Sequence, residues 1–451
     1  MMPLLAVDFS AFFANIGQFI LAFSILVVLH EMGHFFPAKW FGCRVDKFYL
    51  FFNPWFSLYK KQVGETEYGL GWVPLGGYVK IAGMIDESMD KEQLKQPGQP
   101  WEFRSKPAWQ RLIIMLGGVI VNFVLALVLF AMILFVWGEE RLPIKNLKYG
   151  FAADSLARTV GLQDGDLITE VNNKPLTYTN ELTKEMMLNE HAVLKVQRGG
   201  GDTMITIPEG FISTLTKNQL QGFVYPRFPV MVDSVSPEIK YVAGTLQKGD
   251  RIVGVNDKPT LFYQEFNKAK APYKNAEVKL QVLKVNGDTS ETVVKLNKEG
   301  NVGFVPGNPY KLLGVEKKEY SFGESIPAGV NFGIARLKDY MTGIKLLFTS
   351  KEHKVSDNLG SVISIGKTFG GVWDWQRFWT MTALFSIILA FMNILPIPAL
   401  DGGHALFTLY EMITGRKPGD KFMEYAQMAG MALLLGLMLY AFGLDIWRIF
   451  K

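Results

Sequence analysis

Four long runs of apolar residues divide the chain, from about Phe12 to Phe36, Leu112 to Trp137, Phe378 to Leu395 and Met428 to Ile446. A helix crosses the roughly 30 Å hydrocarbon layer of a bilayer in about 20 residues, so each run predicts a membrane span. The first has no basic residue before it and leads into His-Glu-Met-Gly-His instead of a small-residue cleavage site, which predicts a permanent span rather than a leader. Lys39, Arg44, Lys47, Lys60 and Lys61 follow that run. This asymmetry predicts an outer N-terminus and places the His30/His34 end of the span on the cytoplasmic side. The other spans then alternate, with Arg416, Lys417 and Lys421 in the last cytoplasmic loop. Within the second span, Gly117 and Gly118 suit close helix packing, and Asn122 needs a partner inside the bundle.

Between the spans the pattern changes. Residues 1–36, 111–137, 378–400 and 428–447 form the four helical segments, and 37–110 and 401–427 lie between them on the cytoplasmic side. Within the first of these loops Val63–Val79 reads as a β-hairpin, and Pro74 argues for an edge or a kink. Two roles stay open for it, an ordinary amphipathic hairpin or a membrane-associated edge that pairs with an extended substrate. Trp101–Gln110 reads as an interfacial collar before the second span. Residues 311–377 hold a helical pattern, with Ile326, Val330, Ile334, Leu337, Met341, Ile344 and Phe348 at three- and four-residue steps. That predicts an amphipathic helix, either on the outer membrane face or packed on the second repeat, followed by an aromatic belt at Trp373, Trp375 and Trp379.

The long insertion between spans two and three is duplicated. Gly161-Leu-Gln-Asp-Gly-Asp-Leu-Ile-Thr-Glu-Val-Asn-Asn-Lys-Pro175 recurs 84 residues later as Thr245-Leu-Gln-Lys-Gly-Asp-Arg-Ile-Val-Gly-Val-Asn-Asp-Lys-Pro259. Each copy has a Gly-Asp turn, an alternating strand and an Asn-containing turn before Pro. The two copies, 138–222 and 223–310, resemble PDZ domains, which implies grooves able to take a peptide strand.

Composition agrees with a mixed chain. The 451 residues are 49% hydrophobic, and the mean hydropathy of +0.14 fits spans joined to folded aqueous domains. A net charge of +5 without a polybasic block gives no reason to expect a nucleic-acid partner. Cys43 is the single cysteine, which excludes an intrachain disulfide and a cysteine-based zinc site.

The chemistry concentrates in His30-Glu31-Met32-Gly33-His34. On a helix, residues four apart share a face, so both imidazoles can reach one Zn²⁺ while Glu31 stands beside it as a base. Polar groups in an apolar span are costly and are retained mainly for function. A catalytic zinc needs a third protein ligand, which must lie at the same depth near the end of another span. Asp401 and His404, after Asn393-Ile-Leu-Pro396-Ile-Pro398-Ala-Leu400, both meet that condition, and a helix cap is a competing role for Asp401.

His30-Glu31-x-x-His34 and Asn393-x-x-Pro396-x-Pro398-x-Leu400-Asp401-Gly402 resemble the site-2 protease family of intramembrane zinc metalloproteases. Four spans, the two repeats and Pro74-Leu-Gly76-Gly77-Tyr-Val79 are similar to its bacterial RseP type (regulator of sigma-E protease). The resemblance implies a polytopic α-helical membrane protein, four transmembrane helices with two tandem PDZ-like domains between helices 2 and 3 and a membrane-associated β-hairpin. It implies Zn²⁺ on His30, His34 and Asp401, Glu31 as catalytic base, and substrate contacts from Asn393, Tyr68, Gly69, Leu70, Gly76 and Gly77. It also implies a bacterial inner-membrane enzyme that cleaves transmembrane proteins of the anti-sigma-factor type once trimmed, and signal-peptide remnants. The PDZ-like pair would be periplasmic and would exclude untrimmed substrates. The sequence departs from the family at Gly117-Gly118 and at Ser361-Val362, where a Gly-Pro is frequent. A membrane-anchored PDZ scaffold with a non-catalytic metal site, and a transporter, are the competing functional classes.

Overall fold

The computed structural model describes residues 9–84, 97–189, 191–218, 222–237, 239–350 and 360–450. The chain forms two compact units, one of residues 1–138, 319–344 and 359–451, the other of 139–318 and 345–358. Among its described residues the first contains four helices long and apolar enough to cross a membrane, Ser10–Trp40, Ala108–Trp137, Trp375–Ile394 and Lys421–Arg448.

Helix α1 (Phe9–Trp40) ends where Gly42 adopts a φ of +68° and the Cys43 N–H reaches back 2.8 Å to the Ala38 carbonyl. Helix α2 (Ala108–Trp137) crosses α1 at a point without side chains. A Cβ on Gly33 would lie 2.4 Å from the Gly117 carbonyl oxygen, and one on Gly117 would lie 1.9 Å from the Gly33 carbonyl oxygen. The backbones themselves meet there, which only glycine on both sides permits.

Between these helices in the chain lies a four-stranded sheet, not the expected 63–79 hairpin. Strands β1 (Val45–Phe52), β2 (Tyr59–Val63), β3 (Thr66–Leu70) and β4 (Val73–Ile81) order as β2-β3-β1-β4. The tight hairpin joins β2 to β3, and β1 inserts between β3 and β4, parallel to the former and antiparallel to the latter. Strand β4, with Pro74 near its start, is therefore an edge strand.

Helix α3 (Phe322–Thr349) forms where the pattern expects it, with a different inner face. It packs along α2: Phe322 meets Phe135, a Cβ on Gly329 would touch the Ala131 backbone, and Phe332 packs on Phe130. Its buried face is Ser325, Gly329 and Gly333, and the apolar stripe Ile326, Ile334 and Met341 points away from the bundle. Small residues let the two backbones approach, and that choice of inner face is invisible to hydrophobic periodicity.

A short helix α4 (Val362–Lys367) precedes α5 (Trp375–Ile394), α6 (Asp401–Thr414) and α7 (Asp420–Phe450). Asp445 of α7 is buried and accepts hydrogen bonds from the N–H and hydroxyl of Ser361 (2.8 and 2.6 Å) and from those of Ser364 (3.2 and 2.7 Å). Ser361 is one of the departures from the family pattern, and its side chain here serves this contact. Arg111 of α2 and Glu411 of α6, both nearly buried, pair at 2.5 Å and tie the start of α2 to α6.

In the second unit the duplication is structural down to single hydrogen bonds. Asp166 and Asp250, both buried, accept from the N–H three residues earlier and pair with Arg198 and Lys284 respectively. Asn172 and Asn256, with φ of +51° and +47°, each receive a backbone N–H from a neighbouring strand. Glu181 and Glu265 cap helices Thr179–Met187 and Tyr263–Lys270 in the same way. Each repeat has its own core, the first around Ile168, Leu194 and Val196, the second around Ile252, Leu280 and Val282.

Replacing Gly117 with Val should cost about 3 kcal/mol, because the obstacle is backbone and has no rotamer to yield. Thermal unfolding of the purified protein in detergent, compared with wild type, measures this; an unchanged midpoint would contradict the described crossing.

Candidate metal centre

Three side chains from two helices converge. His30 and His34 lie one turn apart on α1, and Asp401 is the first residue of α6. His30 Nε2 and His34 Nε2 are 3.3 Å apart, and the Asp401 Oδ2 lies 3.3 and 3.4 Å from them. Ligand atoms about 2 Å from a tetrahedral ion are separated by about 3.3 Å, so this triangle has the dimensions of one face of a zinc coordination sphere. Asp401 Oδ2 is buried and has no hydrogen-bond partner among the described residues, a costly state for a carboxylate oxygen unless a cation meets it. Both observations fit a resident metal ion, and nitrogen and oxygen donors in this number suit zinc with a position left for water.

The local sequence explains why Asp401 arrives there. Helix α5 stops before Pro396 and Pro398, and Ala399 turns the chain with a φ of +84°. Leu400 is the N-cap of α6, so Asp401 does not cap it; the competing role is removed and the carboxylate turns to the histidines. Gly402 and Gly403 allow the start of α6 to press on the preceding turn, where a Cβ would lie 2.3 Å from the Leu395 carbonyl and 2.5 Å from that of Ile397. His404, the other candidate ligand, lines the adjoining cavity and is not one of the three convergent groups.

Behind the metal-facing nitrogens, His34 Nδ1 lies 2.8 Å from the Ile114 carbonyl and His30 Nδ1 3.2 Å from the Asn122 amide. An added Cβ on Gly118 would fall 2.4 Å from His34 Nε2 and 2.6 Å from His30 Cε1, so glycine at this position gives both rings their space. Asn393 Nδ2 stands 3.3 Å from His30 Nε2, at the edge of the same centre.

The centre opens into a cavity of about 800 Å³. Glu31 lines it, and Gly77 of β4 is close enough that its Cβ would lie 3.5 Å from Glu31 Cγ. Strand β4, the end strand of the sheet among the described residues, thus runs past the base and the metal ligands. Tyr68, Gly69 and Leu70 do not reach the cavity. They sit on β3, which is paired on both sides by β1 and β2 and has no edge to offer. Gly69 instead makes room for the Tyr49 ring, which a Cβ would meet at 2.2 Å, and Gly76 does the same for Phe52.

Residues that the sequence does not assign to the site line the cavity too, namely Lys47, Lys80 and Gln427. Lys47 and Lys80 face each other across the β1–β4 pair, a register that only the pairing of β1 reveals. Cys43 is no rival nucleophile, since it is buried and burial pushes its thiol above the ordinary range despite nearby Lys106.

Comparison with known proteins agrees with this geometry. A family model described as Peptidase family M50 matches residues 18–437. A protein of Xylella fastidiosa (strain 9a5c) named "Putative zinc metalloprotease" is 27% identical over 96% of this chain and 99% of its own length. One of the same name from Vibrio cholerae is also 27% identical, over 96% and 99%. Another from Campylobacter jejuni, "Putative zinc metalloprotease Cj1068", is 28% identical over 95% and 92%.

Replacing His30, His34 or Asp401 by Ala, one at a time, should leave the purified protein with well under one zinc per chain. Elemental analysis after dialysis gives the count, and full occupancy in any of the three removes that residue from the ligand set.

Proposed function

Since this chain belongs to peptidase family M50, we propose that it is an intramembrane zinc endopeptidase that cuts single-span membrane proteins within or beside their transmembrane segment. The observation that carries this reading is the position of the three-ligand centre, which opens beside β4, the end strand of its sheet among the described residues, and beside apolar helices. A substrate helix hides its peptide bonds until it unwinds, and each freed backbone group in hydrocarbon costs several kcal/mol. Strand β4 offers those groups a partner by strand addition, next to the reacting atoms.

Bound at His30, His34 and Asp401, zinc supplies a Lewis acid for the scissile carbonyl and brings the pKa of a water to about 7. Glu31 takes the proton of the attacking water and returns it to the leaving amine. Asn393, whose amide stands 3.3 Å from His30 Nε2 and lines the same cavity, is the residue we assign to hold the substrate backbone beside the metal ligands. Among the residues of the β region, Gly77 through the β4 edge holds the substrate.

The substrates we propose are anti-sigma-factor-type proteins already trimmed on the periplasmic side, and signal-peptide remnants, in a bacterial inner membrane. The two repeats, read as PDZ-like modules on the periplasmic side, exclude the untrimmed forms. The positive charges after the first span and the shared turn chemistry of the repeats support this arrangement.

Glu31→Gln should retain zinc while cleavage falls by about 10²-fold or more, the usual worth of a general base. A cleavage assay in detergent and in vesicles, with trimmed and untrimmed single-span proteins, tests the whole reading. Full turnover by the variant removes Glu31 as base, and equal cutting of both substrate forms removes the size filter.

A further inference from the structure

We propose that Asn122 is a positioning residue of the metal centre, with its side-chain oxygen holding His30 Nδ1 so that Nε2 is presented to the ion. The inference rests on the zinc reading above and extends it to a residue of α2. Both histidines turn Nε2 to the centre. An imidazole can offer an Nε2 lone pair only as the tautomer with its proton on Nδ1, and that N–H then needs an acceptor behind the ring. His34 has one in the Ile114 carbonyl at 2.8 Å. For His30 the group at this place is the Asn122 carboxamide at 3.2 Å, fully buried.

The two ends of a carboxamide have the same shape, and the hydrogen-bond network decides which faces which partner. With Nδ2 toward the ring, Oδ1 is buried without a partner among the described residues. With the amide turned over, Oδ1 accepts the Nδ1–H of a metal-bound His30, as the Ile114 carbonyl does for His34. The rest of Asn122 is held in place on two sides. Its backbone carbonyl accepts the Ser386 hydroxyl of α5 at 2.7 Å, and the Gly33–Gly117 contact fixes α2 against α1. Gly118 stands four residues earlier and makes room for both rings, so Gly118-x-x-x-Asn122 on α2 faces His30-x-x-x-His34 on α1. Helix packing alone, the expectation from sequence, does not account for an amide aimed at the rear of a ligand.

Zinc affinity, measured by competition with a chromophoric chelator, and thermal unfolding in detergent separate the two roles. Asn122→Ala should weaken zinc binding about 10- to 100-fold, the usual effect of losing a partner behind a ligating histidine. Asn122→Asp keeps an acceptor and should stay within a few-fold of wild type. Ser386→Ala removes the other buried contact of the same residue; it should lower the unfolding midpoint and leave zinc affinity in place. Should Asn122→Ala not yield folded protein, Asn122→Ser, whose hydroxyl is too short for the ring, takes its place with the same expectation. Wild-type zinc affinity in the Ala or Ser variant overturns the proposal, as does an equal loss in Ser386→Ala. Because the readout is metal binding, a failure of the protease reading would not be mistaken for a failure of this one.

Discussion

Two imidazoles and a carboxylate share a few ångströms within a bundle of apolar helices, and the cost of keeping them there governs the surrounding structure. Each polar atom of the group needs a partner within the bundle. The neighbours serve the two rings, and the buried Asp401 oxygen is left for a metal ion. A main-chain carbonyl and a carboxamide stand behind the two rings, and Asn393 stands beside them. The missing side chains matter as much. Gly33, Gly117 and Gly118 bring α1 and α2 together closely enough for those partners to be within reach. Arg111 and Glu411 anchor the helix that carries the carboxylate, so the third ligand is fixed against the same α2 that holds the first two.

The parts of this centre that are legible in the sequence are the local ones. Four-residue spacing of histidines, a glutamate between them and an Asp-Gly after a proline-broken span are short patterns with direct geometric meaning. Charge asymmetry around the spans is enough to bring residues some 370 positions apart to one depth. What stays hidden depends on pairing between distant segments. The strand order β2-β3-β1-β4 follows from Val45–Phe52 inserting between two stretches that adjoin in sequence, and nothing in 63–79 announces it. Without that strand, Tyr68, Gly69 and Leu70 look like an edge open to a substrate, which they are not. The inner face of α3 is hidden for a different reason, because it is built of glycine and serine where periodicity looks for bulk. Asn122 reads as packing in the sequence because its partner sits on another helix.

The soluble repeats show how much turn chemistry survives divergence within one chain. Two aspartates, two asparagines and two glutamates keep the same backbone partners in both copies, although the intervening residues differ widely. Each of these side chains satisfies a main-chain N–H that no strand or helix partner serves, so replacing it leaves a donor unpaired. Core residues have no such singular duty and drift within the apolar set.

Among the described residues, helix α7 is gripped most closely at two places. Near one end Gly430 presses on the Pro398 carbonyl, where a Cβ would lie 1.6 Å away, and near the other Asp445 holds Ser361 and Ser364. Leu433, Leu435, Leu437 and Leu439 between them are exposed to the surroundings of the bundle. Fifteen helical steps separate the two anchors, about 22 Å. Mechanically this is a beam pinned at both ends and lightly loaded in the middle. Sideways bowing of its centre exposes no charge, so the stiffness of that wall is set by the backbone of the helix and by the lipid pressed against it.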